Sequence, residues 1–154
     1  MLRRFIPIAL VSSLTSCCCS SSCIVPKAEY TLNSPDQTFE LFQRAAKCDD
    51  DEAAYACLSS DTRRRYSRAE FQDLWAVAGS RIRALAHTRL ESAQDVPGLP
   101  LPAKKATFVY QDKTVHFLMV EEEGHWLFVY PNRFHKEDEL RAILEEIDKD
   151  AGCE

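Results

Sequence analysis

The sequence predicts an α+β domain: three N-terminal helices packed on a curved antiparallel four-stranded sheet, followed by a C-terminal amphipathic helix. Three observations carry this. Before Gly79, apolar residues recur at helical spacing behind recognisable N-cap residues. After Gly79 the apolar period changes to two, and short polar turns punctuate the runs. Near the end, Leu140, Ile143, Leu144 and Ile147 return to i, i+3, i+4, i+7 spacing.

The chain opens on a tripartite export signal over residues 1–16. Arg3 and Arg4 supply a positive start, Phe5 to Leu14 is apolar apart from Pro7, Ser12 and Ser13, and small residues follow. Ten helical residues span ~15 Å, about half of a ~30 Å hydrocarbon core, so the stretch is too short for a permanent span. No later run approaches the ~18 apolar residues that a transmembrane helix needs.

The signal closes on Leu14-Thr15-Ser16-Cys17, which resembles the lipobox of bacterial lipoproteins. Cys18 and Cys19 follow, but Cys17 has the better upstream residues. The resemblance implies cleavage after Ser16 and a diacylglyceryl thioether on Cys17. It also implies residence in the cell envelope, with the domain facing periplasm or exterior. Two or three acyl chains hold stably where one binds marginally, at ~0.8 kcal/mol per buried CH₂. Among Gram-negative lipoproteins an Asp after the lipidated cysteine favours inner-membrane retention; Cys18 stands there, which favours the outer membrane.

Without residues 1–16, 138 residues remain, enough for one cored domain. They carry 17 basic and 24 acidic residues, a formal charge of −7. An acidic domain of this kind has no electrostatic footprint for nucleic acid, and the Arg63-Arg64-Arg65 run reads as a solvated helix face. Residues 17–33 read as the lipidated cysteine and a flexible tether: serine-rich, then Pro26, with no sustained apolar period. Fully extended, the tether would reach roughly 55 Å at ~3.4 Å per residue.

The domain is expected over residues 34–150. Ser34-Pro35-Asp36-Gln37 gives an N-cap, a proline at the first helical position and Gln three residues on, ahead of Phe39, Phe42 and Ala46. Asp49-Asp50-Asp51 breaks that helix and caps a short second one through Tyr55 and Leu58. Ser67 and Glu70 form a capping box for a third, with Phe71, Leu74, Trp75 and Ala78 on its face and Gly79 as its C′ residue. A half-buried strand is then expected from the alternation of Ile82, Ala84, Ala86, Thr88 and Leu90. After a loop at Asp95 to Pro102 come three strands, Ala106 to Gln111, Thr114 to Glu121 and His125 to Tyr130.

Three helices followed by a curved antiparallel sheet resemble the nuclear transport factor 2-like superfamily, in its small SnoaL-like and bacterial lipoprotein versions. The carrying residues are Thr38-Phe39-Glu40-Leu41-Phe42 through Ala53-Ala54-Tyr55, then Tyr66-Ser67 to Trp75, within roughly Ser34 to Arg133. The terminal helix is an addition to that pattern, and no strand pair separates the second and third helices. The resemblance implies a cone whose concave side can enclose a pocket.

Two-residue turns at Asp112-Lys113 and Glu123-Gly124 would pair Tyr110 with Val115, Phe108 with Phe117 and Met119 with Phe128. One face then holds Phe108, Tyr110, Val115, Phe117, Met119, Trp126, Phe128 and Tyr130. Of these, Phe108, Tyr110, Phe117, Met119, Trp126, Phe128 and Tyr130 either fill the core or line a pocket closed by the helices. The other face, with Val109, Leu118, Val120, Leu127 and Val129, is too apolar to remain in water. The terminal helix is its expected cover, and a second copy in a homodimer is the next candidate.

Seven cysteines include one for lipid. In an oxidising compartment Cys48 and Cys57 could close a loop of about ten residues, worth roughly 2–3 kcal/mol, the alternative being two buried thiols. No cysteine and histidine spacing matches a zinc site, no glycine-rich phosphate loop is present, and no cofactor is expected. His87 and His116 fall on outward faces, His125 beside a turn, and His135 before the last helix. No nucleophile and base can be paired from the sequence, so no catalytic residue is assigned. The expected function is a non-catalytic envelope lipoprotein whose domain binds a partner protein or a small apolar ligand. The alternative is a small hydrolase or isomerase using Tyr110 or Tyr130.

Overall fold

The computed structural model describes residues 23–152. The signal, Cys17 and the first part of the expected tether lie outside the described residues. Within them the fold is α+β, with five α-helices and a four-stranded antiparallel sheet.

Helix α1 (Pro35–Cys48) begins where local chemistry directs it: Ser34 Oγ accepts from Gln37 N at 3.2 Å, and Gln37 Oε1 accepts from Asn33 N at 3.2 Å. It ends at Asp49, whose φ of 54° turns the chain out of the helix. Asp50 caps α2 (Asp51–Ala56), its Oδ1 accepting from Ala53 N at 3.0 Å. Four helices, not three, precede the sheet. Ser59 Oγ accepts from Thr62 N and starts α3 (Ser60–Arg65), a further turn and a half that two consecutive serines and an aspartate permit.

The expected capping box of Ser67 and Glu70 opens α4 (Arg68–Ala84), but Gly79 does not close it. The helix runs on, and a tight helical turn at Leu85–His87 follows, so the strand expected from Ile82 begins only at Arg89. The reason is a double periodicity. Ile82, Leu85 and Ala86 satisfy i, i+3, i+4 as well as the even positions satisfy a strand. Burial of Ala84, Leu85 and Ala86 outweighs the ~1 kcal/mol that a mid-helix glycine costs.

Strands β1 (Arg89–Asp95), β2 (Ala103–Tyr110), β3 (Lys113–Glu122) and β4 (His125–Val129) form a meander in sequence order. The second hairpin has the expected register, with Met119 opposite Phe128, and turns at Glu123-Gly124. The first turns one residue earlier than expected, at Gln111-Asp112, so Phe108 faces Val115 and Ala106 faces Phe117. The shift is two residues in register. Because strand period is two, every side chain keeps its assigned face.

The aromatic face packs on α1 and α4. Phe39 lies 4.3 Å from Phe108 between ring centroids, and Phe42 lies 5.6 Å from Phe128 and 6.2 Å from Trp75. Each such ring contributes about 1.5–3 kcal/mol through burial. Helix α5 (Glu137–Asp150) also joins this side, contrary to expectation. Its Leu140, Leu144 and Ile147 pack with Ala84, Leu85 and Val115, and Lys113 Nζ holds Asp150 Oδ2 at 2.8 Å. The opposite face is covered by other segments of the same chain. Val96 and Leu99 from the β1–β2 loop and Phe134 pack over Ala103, Leu118, Val120 and Val129. Sequence spacing shows that α5 needs an apolar partner, but both faces of the sheet offer one.

Residues 23–33, expected as flexible tether, are docked on the domain. Val25 is 2% exposed and its N–H donates to Asp50 Oδ2 at 2.8 Å, while Tyr30 and Leu32 pack against the core. Trp126 N donates to Leu32 O at 2.6 Å, so this arm shields the outer edge of β4. The three apolar residues have no period, which is why the sequence reads as linker. A disulfide joins Cys23 to Cys48, with Cα atoms 4.8 Å apart. The Cys48–Cys57 bond that the spacing allowed is therefore absent. Cys57 is a free thiol buried in the core, 3.4 Å from Ala53 O, and burial raises its pKa far above the ordinary thiol value.

Candidate functional site

Between the aromatic face, α4 and α5 lies a cavity of about 480 Å³. Its floor is Phe39, Phe42, Phe108, Phe117 and Phe128, a cluster in which Phe117 stands 5.9 Å from both Phe108 and Phe128. Helix α4 supplies Phe71, Leu74, Trp75, Ala78 and Ile82; α5 supplies Leu140 and Leu144. The walls are thus mostly apolar. Trp75 is fixed by its Nε1 donating to Asp49 Oδ1 at 2.9 Å.

Leu74 and Val77 sit on the rim, and Val77 is 80% exposed. Val77 is left largely, and Leu74 partly, in water. At the end where α4 and α5 meet, Arg81 Nε reaches Glu145 Oε1 at 3.5 Å.

The polar groups gather at one corner. Tyr66, at the end of α3, and Tyr130, after β4, stand 5.6 Å apart between ring centroids, with Glu137 and Arg141 of α5 alongside. Burial raises the Tyr130 phenol above its ordinary pKa, the Glu137 charge adds to this, and Arg141 opposes it. Tyr130 is consequently a neutral hydrogen-bond donor. Thr62 locks the Tyr130 backbone: its hydroxyl accepts from Tyr130 N at 2.9 Å and donates to Tyr130 O at 3.2 Å.

Of the residues expected on the pocket-or-core face, Phe108, Phe117, Phe128 and Tyr130 line the cavity. Met119 is sealed in the core, Tyr110 packs beside α5, and Trp126 packs at the core's edge, where Lys104 Nζ sits 5.4 Å from its ring centroid. The face is therefore core at one end and cavity at the other. Sequence reasoning missed Leu74 and Val77 as rim and Arg81, Ile82 and Arg141 as lining. The available signal was the apolar excess on α4, where Val77 lies off the core-facing stripe.

His116 falls on the outward face, as expected, but other rings of the chain pack on it. On the opposite face it stacks on His135, with ring centroids 5.4 Å apart and planes 8° from parallel, and its backbone N–H donates to His135 Nε2 at 3.0 Å. Among the described residues no helix is long and apolar enough to cross a membrane. No protein-family model matches the chain, and no curated protein or solved structure matches it significantly.

Proposed function

We propose that this chain is a bacterial envelope lipoprotein, anchored through lipid on Cys17. Its domain, a nuclear transport factor 2-like cone, holds a small apolar ligand without transforming it. The apolar cavity of about 480 Å³ carries the reading, since dedicated small-molecule sites run to ~300–1,000 Å³ with few polar groups. Helices folded over an aromatic sheet face support the cone. The lipobox-like Leu14-Thr15-Ser16-Cys17 supports the anchor, and the Cys23–Cys48 disulfide fits an oxidising compartment. Exposed Leu74 and Val77 favour a second reading, in which a partner protein inserts an apolar side chain at the same mouth.

The test is a filled cavity. Ala78→Trp should abolish the thermal stabilisation given by 1-aminoanthracene or a similar apolar probe, while the unliganded melting temperature stays within a few degrees of wild type. At a hundredfold excess over Kd, the probe should stabilise the wild type by about 2.7 kcal/mol. Equal stabilisation of the two proteins would remove the cavity as the binding site. For the anchor, Cys17→Ser should release the protein from membranes or leave the uncleaved precursor. An unmodified Cys17 thiol in the mature protein would refute lipidation.

A further inference from the structure

We infer that the cavity is built for an amphiphile with a carboxylate head, a fatty acid being the simplest member of the class. This rests on the apolar-ligand reading and names the head group. The polar corner holds two phenol donors and a guanidinium whose carboxylate partners stand beyond hydrogen-bond length. Neither the Tyr66 nor the Tyr130 hydroxyl bonds to a described residue. Arg141 comes only within 3.7 Å of Glu137 and 3.8 Å of Asp138, beyond hydrogen-bond length. Those two carboxylates are 78% and 94% exposed, whereas the Arg141 side chain is 45% exposed, so the acids are mostly in water and the cation is half covered. The other rim arginine, Arg81, already faces Glu145.

A planar guanidinium and two phenols converging on one corner match the acceptor-only oxygens of a carboxylate. The remaining walls are mostly hydrocarbon, so its tail lies along the phenylalanine floor and its head at α5. Glu137 is the one lining acid, and its negative charge opposes the same head. It therefore limits affinity, and its largely solvent-exposed position keeps that cost small.

Isothermal titration of the full chain, prepared without detergent as its Cys17→Ser form, would compare decanoate with decan-1-ol at pH 8. Decanoate should bind about tenfold more tightly. Arg141→Gln should remove that preference by weakening decanoate about tenfold more than decan-1-ol, and Glu137→Gln should raise the decanoate-over-decan-1-ol preference. Equal binding of the two probes, or a preference that survives in Arg141→Gln, would overturn the carboxylate inference and leave the apolar-ligand reading intact. Binding of neither probe would overturn both.

Discussion

His116 shows what one side chain does when strand parity turns it away from the core yet another segment covers it. Its Nδ1 lies 3.2 Å from Thr107 Oγ1, Lys105 lies near, and His135 stacks on it with Glu139 Oε1 3.5 Å from His135 Nδ1. Burial first, then the Lys105 and His135 charges, hold the His116 pKa below its ordinary value. In the unfolded chain the imidazole titrates near ~6.5. Between the folded pKa and that value the unfolded state binds more protons, so His116 contributes its full stability above ~6.5 and loses it as pH falls. Thermal melts between pH 7 and pH 5 should therefore show a steeper acid-side loss in wild type than in His116→Gln. Parallel slopes would assign the loss to other groups.

At the scale of elements, α4 is the instructive case. A Cβ built on Gly79 would meet Arg83 Nη1 at 3.1 Å, the far end of a flexible side chain. Gly79→Ala should then gain most of the ~1 kcal/mol helix-propensity difference, read as a raised urea midpoint with an unchanged slope. A lowered midpoint would mean that the Arg83–Asp49 contact, 3.4 Å long, cannot give way. What was legible beforehand follows the range of the interactions. The caps at Ser34 and Ser67 were readable because donor and acceptor lie within three residues. Sheet faces were readable because parity survives a two-residue error in a turn. The end of α4 was not, because Ile82 to Leu90 fits two periods. Nor was the docked arm, whose Leu32 bonds to Trp126 across most of the chain. The same holds for the cavity: parity brought Phe108, Phe117 and Phe128 together, but only the placement of α5 decides where core ends and open space begins.

For the whole molecule, the Cys23–Cys48 bond closes a loop between residues 25 apart, worth about 3.5 kcal/mol in the chain-entropy account. Cys48→Ser should lower the unfolding free energy by roughly 2–4 kcal/mol, and reductant should bring wild type to the same value. A stability unaffected by either change would place the arm's attachment in Val25 and Leu32 alone. The position of this bond also sets a distance. With lipid on Cys17, only five residues would separate it from a covalently fixed point on the domain, a leash of ~20 Å at most. Under the proposed lipidation of Cys17, the oxidised protein would stay within that distance of the headgroups. On the proposed reading, its cavity would then meet ligands leaving the bilayer at the high effective concentration of a short tether.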